Sequence, residues 1–321
     1  MTTINRRSLM QTLGATALAM SNIDGGAKLV AEQSKSDSLP MQLYKSLSDE
    51  QRQKVCLPVD DSRRLFISNW WYVHPQHRIP DTFNSEQQEL IQTIFDSLHN
   101  PEFQSAVNKQ VAKDQYGQLK NAPSVGFFGT PDDDAFEFIY TGHHVTRRCS
   151  ALNKPVEGFG GAPIFYGHYP ETFNETASHP GNPYWYQGKL FNTFVQSLDG
   201  KQQEQGLVGA NPRSEKPDVV ILKKDKEIAG LSCNDLSEDQ KKLLVDTMRK
   251  MLAMFRDEDV EATVQTIESR SILDQLYVSW YDGKFDIGSD RVWDTWQIEG
   301  PDMVWYFRGQ PHIHSYFHVK T

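Results

Sequence analysis

The chain has little cysteine and, beyond its N-terminal region, no long apolar run. Its three cysteines, Cys56, Cys149 and Cys233, can form at most one disulfide, and no Cys-x-x-Cys pair occurs. A disulfide-stapled scaffold and a cysteine-based metal or redox motif are therefore excluded. No later stretch approaches the roughly 18 apolar residues that a transmembrane helix needs. We therefore expect no membrane span in the mature chain.

An excess of positive charge is also lacking, since 33 Lys and Arg face 42 Asp and Glu for a formal net charge of −9. Binding to a phosphate backbone needs clustered Lys and Arg, so the composition argues against a nucleic-acid partner. The sequence contains no Gly-x-Ser-x-Gly, phosphate-binding loop or His-Glu-x-x-His motif, which leaves the common hydrolases, kinases and zinc proteases unsupported. What remains is an acidic globular chain with 38% hydrophobic residues.

The N-terminus carries a pattern typical of export. Arg6 and Arg7 precede a mildly apolar stretch from Leu9 to Met20 that contains Ala, Gly and Thr. This pattern resembles a twin-arginine signal, which would make the twin-arginine export machinery a partner. We predict a signal peptide over residues 1–28, a flexible leader over 29–41, and a periplasmic or secreted mature protein. The alternative is a helical N-terminal arm with a chance arginine pair.

A helix-start pattern, the capping box, recurs four times. In this pattern a Ser or Asp side chain accepts from a backbone amide three residues on, and a Gln there reaches back to the first amide. The spacing also recurs, because 151 residues separate the first box from the third and 152 separate the second from the fourth. The boxes are Ser48–Gln51, Ser85–Gln88, Asp199–Gln202 and Ser237–Gln240.

Aromatic segments that end in glycine repeat in the same order. Phe138-x-x-x-Gly142 and Trp296-x-x-x-Gly300 are 158 residues apart. We therefore predict an internal duplication within one domain over 42–321, with halves at about 42–180 and 181–321. The predicted fold class is α+β, in which two related helix-then-antiparallel-sheet halves pack as one unit. Chance recurrence of common patterns is the alternative.

The C-terminal residues contain a histidine-rich strand pattern. Side chains alternate between faces along a strand, so His312, His314, Tyr316 and His318 should share one face. Ile313, Ser315, Phe317 and Val319 should then lie on the other. Two imidazoles two residues apart on a strand can both reach one metal ion.

A second histidine cluster follows Gly142, as His143-His144. Neighbours on a regular strand point to opposite faces, so only one imidazole would face a given site unless Gly142 allows a bulge or turn. The other imidazole would orient its neighbour or pack in the core. In the proposed duplication Gly142 matches Gly300, which Pro301 follows rather than histidine. We therefore predict one site between the halves, not two equivalent sites.

These motifs together resemble the bacterial domain-of-unknown-function family three thousand five hundred, over most of the mature chain. The resemblance implies frequent export and no assigned activity. The segments that carry it are Ser46–Gln51, Phe128-Gly129-Thr130-Pro131, Gly142-His143-His144, Pro163–Gly167, Gly300-Pro301 and His312-Ile313-His314.

The family pattern also implies two acidic residues, at the positions of Tyr169 and Tyr306 in this chain. If those acids bind metal in relatives, this chain uses a different set of ligands or has lost the site. His168, next to Tyr169, could replace a carboxylate ligand, although a solvent-facing loop histidine is the interpretation we prefer.

We interpret the chain as an exported metal-dependent enzyme that acts on an unknown small molecule. The expected ligands of its transition-metal ion are His143 or His144, or both, together with His312 and His314. Imidazoles without thiolates suit copper, zinc or iron, and three such ligands leave a position open for chemistry. An oxidoreductase that uses copper or iron is the leading hypothesis.

Tyr316 and Tyr306 could donate hydrogen bonds or electrons in such an enzyme. A zinc-dependent hydrolase is the first alternative, with Glu137 or Glu299 as the general base. Tyr316 and Glu299 are thus the candidate catalytic residues. The second alternative is a non-catalytic exported binding or structural domain.

Overall fold

The computed structural model of the chain describes residues 38–152, 158–169, 181–209, 228–281, 293–309 and 312–320. Within these ranges it contains nine α-helices and one ten-stranded sheet, so the predicted mixed α+β class is confirmed. None of the helices in the described ranges is long and apolar enough to cross a bilayer. All three cysteines are free thiols.

The helices fall into two groups along the chain. The first helix in the described residues begins at Leu39, inside the range 29–41 that we predicted to be a flexible leader. The earlier group is α1 Leu39–Ser46, α2 Asp49–Val55, α3 Ile79–Thr82, α4 Ser85–Ser97 and α5 Pro101–Asp114. The later group is α6 Tyr186–Gln196, α7 Gly200–Gly206, α8 Glu238–Met251 and α9 Asp257–Ser269.

The strands form one sheet whose order is β1-β2-β3-β4-β5-β10-β9-β8-β7-β6. The order rises through the first half of the chain and falls through the second, and every neighbouring pair except β1–β2 is antiparallel. The halves therefore meet at β5 and β10. The first strands are β1 Cys56–Leu57, β2 Ser124–Phe128, β3 Glu137–Gly142, β4 Val145–Ser150 and β5 Ile164–Gly167. The others are β6 Leu231–Ser232, β7 Tyr277–Trp280, β8 Thr295–Gly300, β9 Met303–Arg308 and β10 His314–Val319.

Capping boxes open four of these helices, and three of the predicted boxes are confirmed. Ser48, Asp199 and Ser237 cap α2, α7 and α8 with both hydrogen bonds of the motif. The remaining prediction, the box Ser85–Gln88, was wrong by one residue, because Asn84 caps α4 and Gln87 supplies the returning side chain. Asn is as good a cap as Ser, so the sequence there offered two adjacent starts.

The glutamines of the boxes also join the helices in pairs. Gln51 Nε2 donates to Gln87 Oε1 at 2.8 Å, and Gln87 Nε2 returns a bond of 3.1 Å. Gln202 and Gln240 make the same reciprocal pair at 3.0 and 2.8 Å. The same device thus ties α2 to α4 in the first half and α7 to α8 in the second.

The sheet buries both of its faces. The main core joins strand residues such as Phe127 and Phe138 to helix residues such as Phe95, and it includes Phe317 of β10. A smaller cluster on the other face contains Tyr316 together with Ile67, Phe165, Val304 and Tyr306. The predicted alternation along β10 is therefore confirmed.

We expect Gly206→Ala to destabilise the fold strongly. A Cβ at Gly206 would overlap the Trp280 ring, which is buried. Overpacking of this kind costs about 1–3 kcal/mol, so the free energy of unfolding in urea should fall by at least that much. Gly200→Ala on the same helix is the control, because nothing lies within 4 Å of its Cβ. Equal stability of the two variants would contradict the packing at Trp280.

Candidate metal centre

His143 and His144 form the two-residue loop that joins β3 to β4, since Gly142 pairs with Val145. His144 has a φ of +54°, a left-handed conformation that costs a non-glycine residue about 1 kcal/mol or more. The chain thus adopts a turn after Gly142, one of the two geometries that would release the histidines from strand alternation. Both rings consequently stack on one another, with centroids 3.9 Å apart.

The pairing of β5 with β10 places His314 opposite Gly167. A Cβ at Gly167 would lie 2.4 Å from the Ile313 carbonyl oxygen and 3.3 Å from Cδ2 of both His144 and His314. Only glycine leaves this space free. The register of β5 and β10 therefore brings the β3–β4 hairpin close to β10, and Gly167 leaves room for the histidine rings between them.

Three imidazole nitrogens converge at this point. His144 Nε2 lies 2.9 Å from His314 Nε2, which lies 2.8 Å from His312 Nε2. An imidazole nitrogen either donates or accepts, so the one on His314 can satisfy at most one of these contacts at full strength. A metal cation bound between the three nitrogens would instead accept a lone pair from each of them. His144, His312 and His314 accordingly form a group able to hold a metal ion.

All three histidines are neutral at pH 7. Burial lowers the pKa of His144 and of His312 to about 3, and it lowers the pKa of His314 well below its ordinary value. The cationic Arg308, across the β9–β10 ladder from His314, lowers the same three values further. Neutral imidazoles keep the lone pairs that metal binding requires.

Asp114, which the sequence did not single out, positions His144. It is the last residue of α5, and its Oδ1 lies 2.9 Å from His144 Nδ1 while Gln110 donates to its Oδ2 at 2.8 Å. A proton held on Nδ1 leaves the Nε2 lone pair facing the cluster, as in the carboxylate–histidine pairs around many metal ions. Burial raises the pKa of Asp114 to about 7. The sequence did contain one indication that Asp114 is unusual. An acid at the C-terminus of a helix is unfavourable, because its negative charge opposes the helix dipole.

His143 lies behind His144 rather than beside the other two histidines. Its Nδ1 is 3.4 Å from the Asp114 carbonyl oxygen, and its ring also stacks on Trp70 at 4.5 Å. It shares a second potential ligand group with Asp114 and His144. The structure thus brings three of the four predicted ligands to one point and places His143 as their neighbour. Burial lowers the pKa of His143 to about 4.

His168 is not the solvent-facing histidine that we preferred, because it is only 2% exposed. The Ile313 amide donates to its Nδ1 at 3.2 Å, and its ring lies 6.3 Å from that of His312. Its neutral form therefore carries a proton on Nε2. The prediction was wrong because the backbone of the terminal strand, distant in sequence, covers this residue.

The candidate tyrosines lie near the cluster without joining it. Tyr316 packs against Phe165 and Tyr306, at centroid distances of 4.6 and 6.2 Å, two residues along β10 from His314. Burial raises its pKa above the ordinary range, so Tyr316 is a neutral phenol. Tyr169 makes an edge contact of 5.0 Å with Tyr116 at the surface side of His143.

The candidate carboxylates lie elsewhere on the sheet. Glu299 pairs with Val304, which pairs with His318, so it occupies the row four residues from His314. That offset is about 13 Å along a strand. Glu137 begins β3 and forms ion pairs of 2.6 Å with Arg148 and 3.1 Å with Arg64.

The chain belongs to a family described as "Protein of unknown function (DUF3500)", whose pattern it matches over residues 32–321. The resemblance expected from the sequence is thereby confirmed. No curated protein and no solved structure matches the chain.

The metal-free protein should lose stability as the pH falls below about 6.5. A histidine whose pKa is lower in the folded chain than in the unfolded chain binds a proton only on unfolding in this pH range. Each such histidine therefore lowers the free energy of unfolding by about 1.4 kcal/mol per pH unit below about 6.5. Asp114 opposes this, because its raised pKa makes the folded chain take up a proton between about 7 and 4. His143, His144, His312 and His314 outweigh it.

Urea unfolding at pH 7.5, 6 and 5 measures this dependence. The free energy of unfolding should decline across the series, and His312→Gln should make the decline shallower. A free energy of unfolding that stays constant or rises as the pH falls would show that the pKa values of the cluster histidines are not lowered in the folded wild-type chain.

Proposed function

We propose that His144, His312 and His314 bind one transition-metal ion and that the protein is an exported metal-dependent oxidoreductase using copper or iron. The observation that supports this is the convergence of three neutral Nε2 atoms, at 2.8 and 2.9 Å, from two distant parts of the chain. Ligand nitrogens around a tetrahedral ion would be about 3.3 Å apart, so each of these two separations would lengthen by about 0.4–0.5 Å when the ion binds.

The donor set narrows the identity of the ion. Neutral imidazoles suit copper, zinc and iron, whereas calcium prefers oxygen and iron–sulfur clusters need thiolates. Three protein ligands leave a position for a substrate or small molecule. When bound, such an ion supplies electron transfer or polarises the group that occupies this position.

The chain's own residues then orient and hold protons. Asp114 fixes the His144 ring through Nδ1, and Gln110 fixes Asp114. His168 lies beside His312 with its Nδ1 bonded to the Ile313 amide, while Tyr316 offers a neutral phenol on the His314 face. These are the roles we assign to them.

The zinc-dependent hydrolase is the second candidate. It would need a carboxylate base near the open position, yet Glu299 lies in a distant row and Glu137 is held by two arginines. Asp114 is the nearby acid, but His144 and Gln110 occupy its carboxylate. The redox proposal needs no such base. A non-catalytic metal-binding or structural domain is the third reading, and metal analysis separates the three.

Purified untagged protein should retain, or gain on incubation with copper, zinc or iron salts, about one ion per chain, because the cluster offers one set of three ligands. His314→Ala should abolish this binding, since His314 is the middle ligand. Elemental analysis by mass spectrometry measures both. His77→Ala, which changes a histidine outside the cluster, should bind like the wild type.

The same measurement discriminates the candidates. Full occupancy by copper or iron supports the oxidoreductase, whereas full occupancy by zinc alone supports the hydrolase or a structural role. No bound ion under any condition, or unchanged binding by His314→Ala, would remove the metal proposal.

Asp114→Asn should weaken metal binding by about tenfold to a hundredfold, the usual effect of losing a residue that orients a ligand. Above the Asp114 pKa of about 7, the carboxylate holds the Nδ1 proton of His144 with a charge-assisted bond that the neutral amide cannot make. Competition titration with a chromogenic chelator measures the affinity. Asp246→Asn is the control, because it changes an acid on α8 that pairs with Arg249 and not with a histidine of the cluster. Equal affinities of the two variants would mean that Asp114 does not support His144.

We also propose that residues 1–28 act as a twin-arginine signal, on the strength of the Arg6-Arg7 pair before a mildly apolar segment. These residues lie outside the described part of the chain. Replacing both arginines with lysine should hold the protein in the cytoplasm, as cell fractionation would show. Normal export of that variant would contradict the proposal.

We further infer that the two halves arose by duplication. Helices α2, α4 and α5 are followed by the β3–β4 hairpin, and α7, α8 and α9 by the β8–β9 hairpin, with matching two-residue loops. Support also comes from the repeated glutamine pairs. A superposition that failed to match these elements in order would contradict the inference.

A further inference from the structure

Two large aromatic side chains lie at the surface next to the histidine cluster. Trp70 is 49% exposed and Tyr116 is 39% exposed, whereas Trp280, Trp296 and Trp305 are buried. The Trp70 and Tyr116 rings are neighbours, with centroids 6.4 Å apart and a tilt of 37°. We refer to these two rings as the aromatic face.

The aromatic face is the outer end of a stacked column. His143 stacks on His144 at 3.9 Å, Trp70 stacks on His143 at 4.5 Å with a tilt of 26°, and Tyr116 stacks on it at 5.6 Å. The column therefore runs from a proposed metal ligand to the solvent. Among the described residues Trp70 contacts no ring beyond His143 and Tyr116, and Tyr116 has one more ring contact, an edge contact with Tyr169 at 5.0 Å.

The fold holds the aromatic face in place. Trp70 Nε1 donates to the Tyr72 hydroxyl at 3.0 Å, and the Arg78 guanidinium lies 3.2 Å above the Tyr72 ring. Tyr116 has a φ of +52°, a conformation that costs a non-glycine residue stability. It lies in the turn that follows α5, where its amide donates to the Lys113 carbonyl oxygen at 3.0 Å. Rings fixed before binding lose little entropy when a ligand stacks on them.

We propose that the aromatic face is a binding subsite for a planar aromatic ring that carries an anionic group. Another ring would continue the column in the offset-stacked geometry that aromatic systems prefer. The cations nearby are Arg78 beside Tyr72 and Lys113, whose Nζ lies 5.9 Å from the Tyr169 ring that contacts Tyr116. Two acids also act here, since Asp81 interacts with the Arg78 charge and the buried Asp114 with Tyr116. Asp114 is turned to Gln110 and His144, so the two cations set the charge preference that we propose, for an anion over a cationic ligand.

The position of this subsite also limits the size of the substrate, a step that rests on the proposed metal function. The column steps of 3.9 and 4.5 Å, plus about 4.5 Å for one more stacked ring, put that ring as much as about 13 Å from His144. A substrate that reaches both places across this full separation is elongated, with its reacting group away from the aromatic ring.

The test uses metal-free protein and 4-hydroxybenzoate as the probe, followed by saturation-transfer NMR and calorimetric titration. A ligand of this size should bind with a dissociation constant in the millimolar range. Trp70→Ala and Tyr116→Ala should each weaken binding by at least about fivefold, and Trp70→Tyr should retain it because a ring remains. Leu119→Ala is the control, since Leu119 is a 70% exposed apolar residue outside the column.

Three comparison ligands define the chemistry. Cyclohexanecarboxylate lacks the π face, benzyltrimethylammonium reverses the charge, and cellotetraose tests a sugar ring in place of an aromatic one; each should bind more weakly than the probe. Absence of saturable probe binding, equal binding by any of the three, or unchanged binding by Trp70→Ala would overturn the inference. Metal content is measured in a separate experiment. A protein that binds no metal could still bind the probe, and a protein that binds metal could still fail to bind the probe, so the two proposals are tested independently.

Discussion

The pairing of β5 with β10 is the constraint on which the candidate site depends. Among the described strands it is the only ladder that joins the two halves of the sheet, and it sets His314 opposite Gly167. Strand side chains alternate, so a register slip of one residue would turn His314 to the other face of the sheet. The absence of a side chain at Gly167 then lets the His144 and His314 rings approach each other.

The framework repeats between the halves, whereas the site does not. Capping boxes, reciprocal glutamine pairs and two-residue hairpin loops occur in both halves. The β3–β4 loop is His143-His144, but the β8–β9 loop is Pro301-Asp302. Features that stabilise helices and turns are thus shared, and the residues able to bind a cation come from positions where the halves differ. The stacked column of His144, His143 and the aromatic face also belongs to one half only, and it extends from the histidine cluster to the surface.

Local patterns predicted the parts of this structure that local forces decide. Helix caps and the two faces of β10 follow from hydrogen bonds and alternation within a few residues, and the single-residue error at Asn84 arose where two good caps adjoin. Asp114 and His168 could not be placed in this way, because their partners lie 30 and 145 residues away in sequence. Glu299 was chosen for its chemistry, but its distance from His314 follows from register across three strands, which a sequence does not state.

We expect one metal ion to bind where the rings of His144, His312 and His314 meet. Anomalous-scattering crystallography of the metal-loaded protein, recorded at the absorption edge of the bound element, locates such an ion. A single strong peak should lie about 2.0–2.1 Å from the Nε2 atoms of all three histidines, with Asp114 still bonded to His144 Nδ1. A peak elsewhere in the molecule, or an ion that touches none of the three, would contradict it.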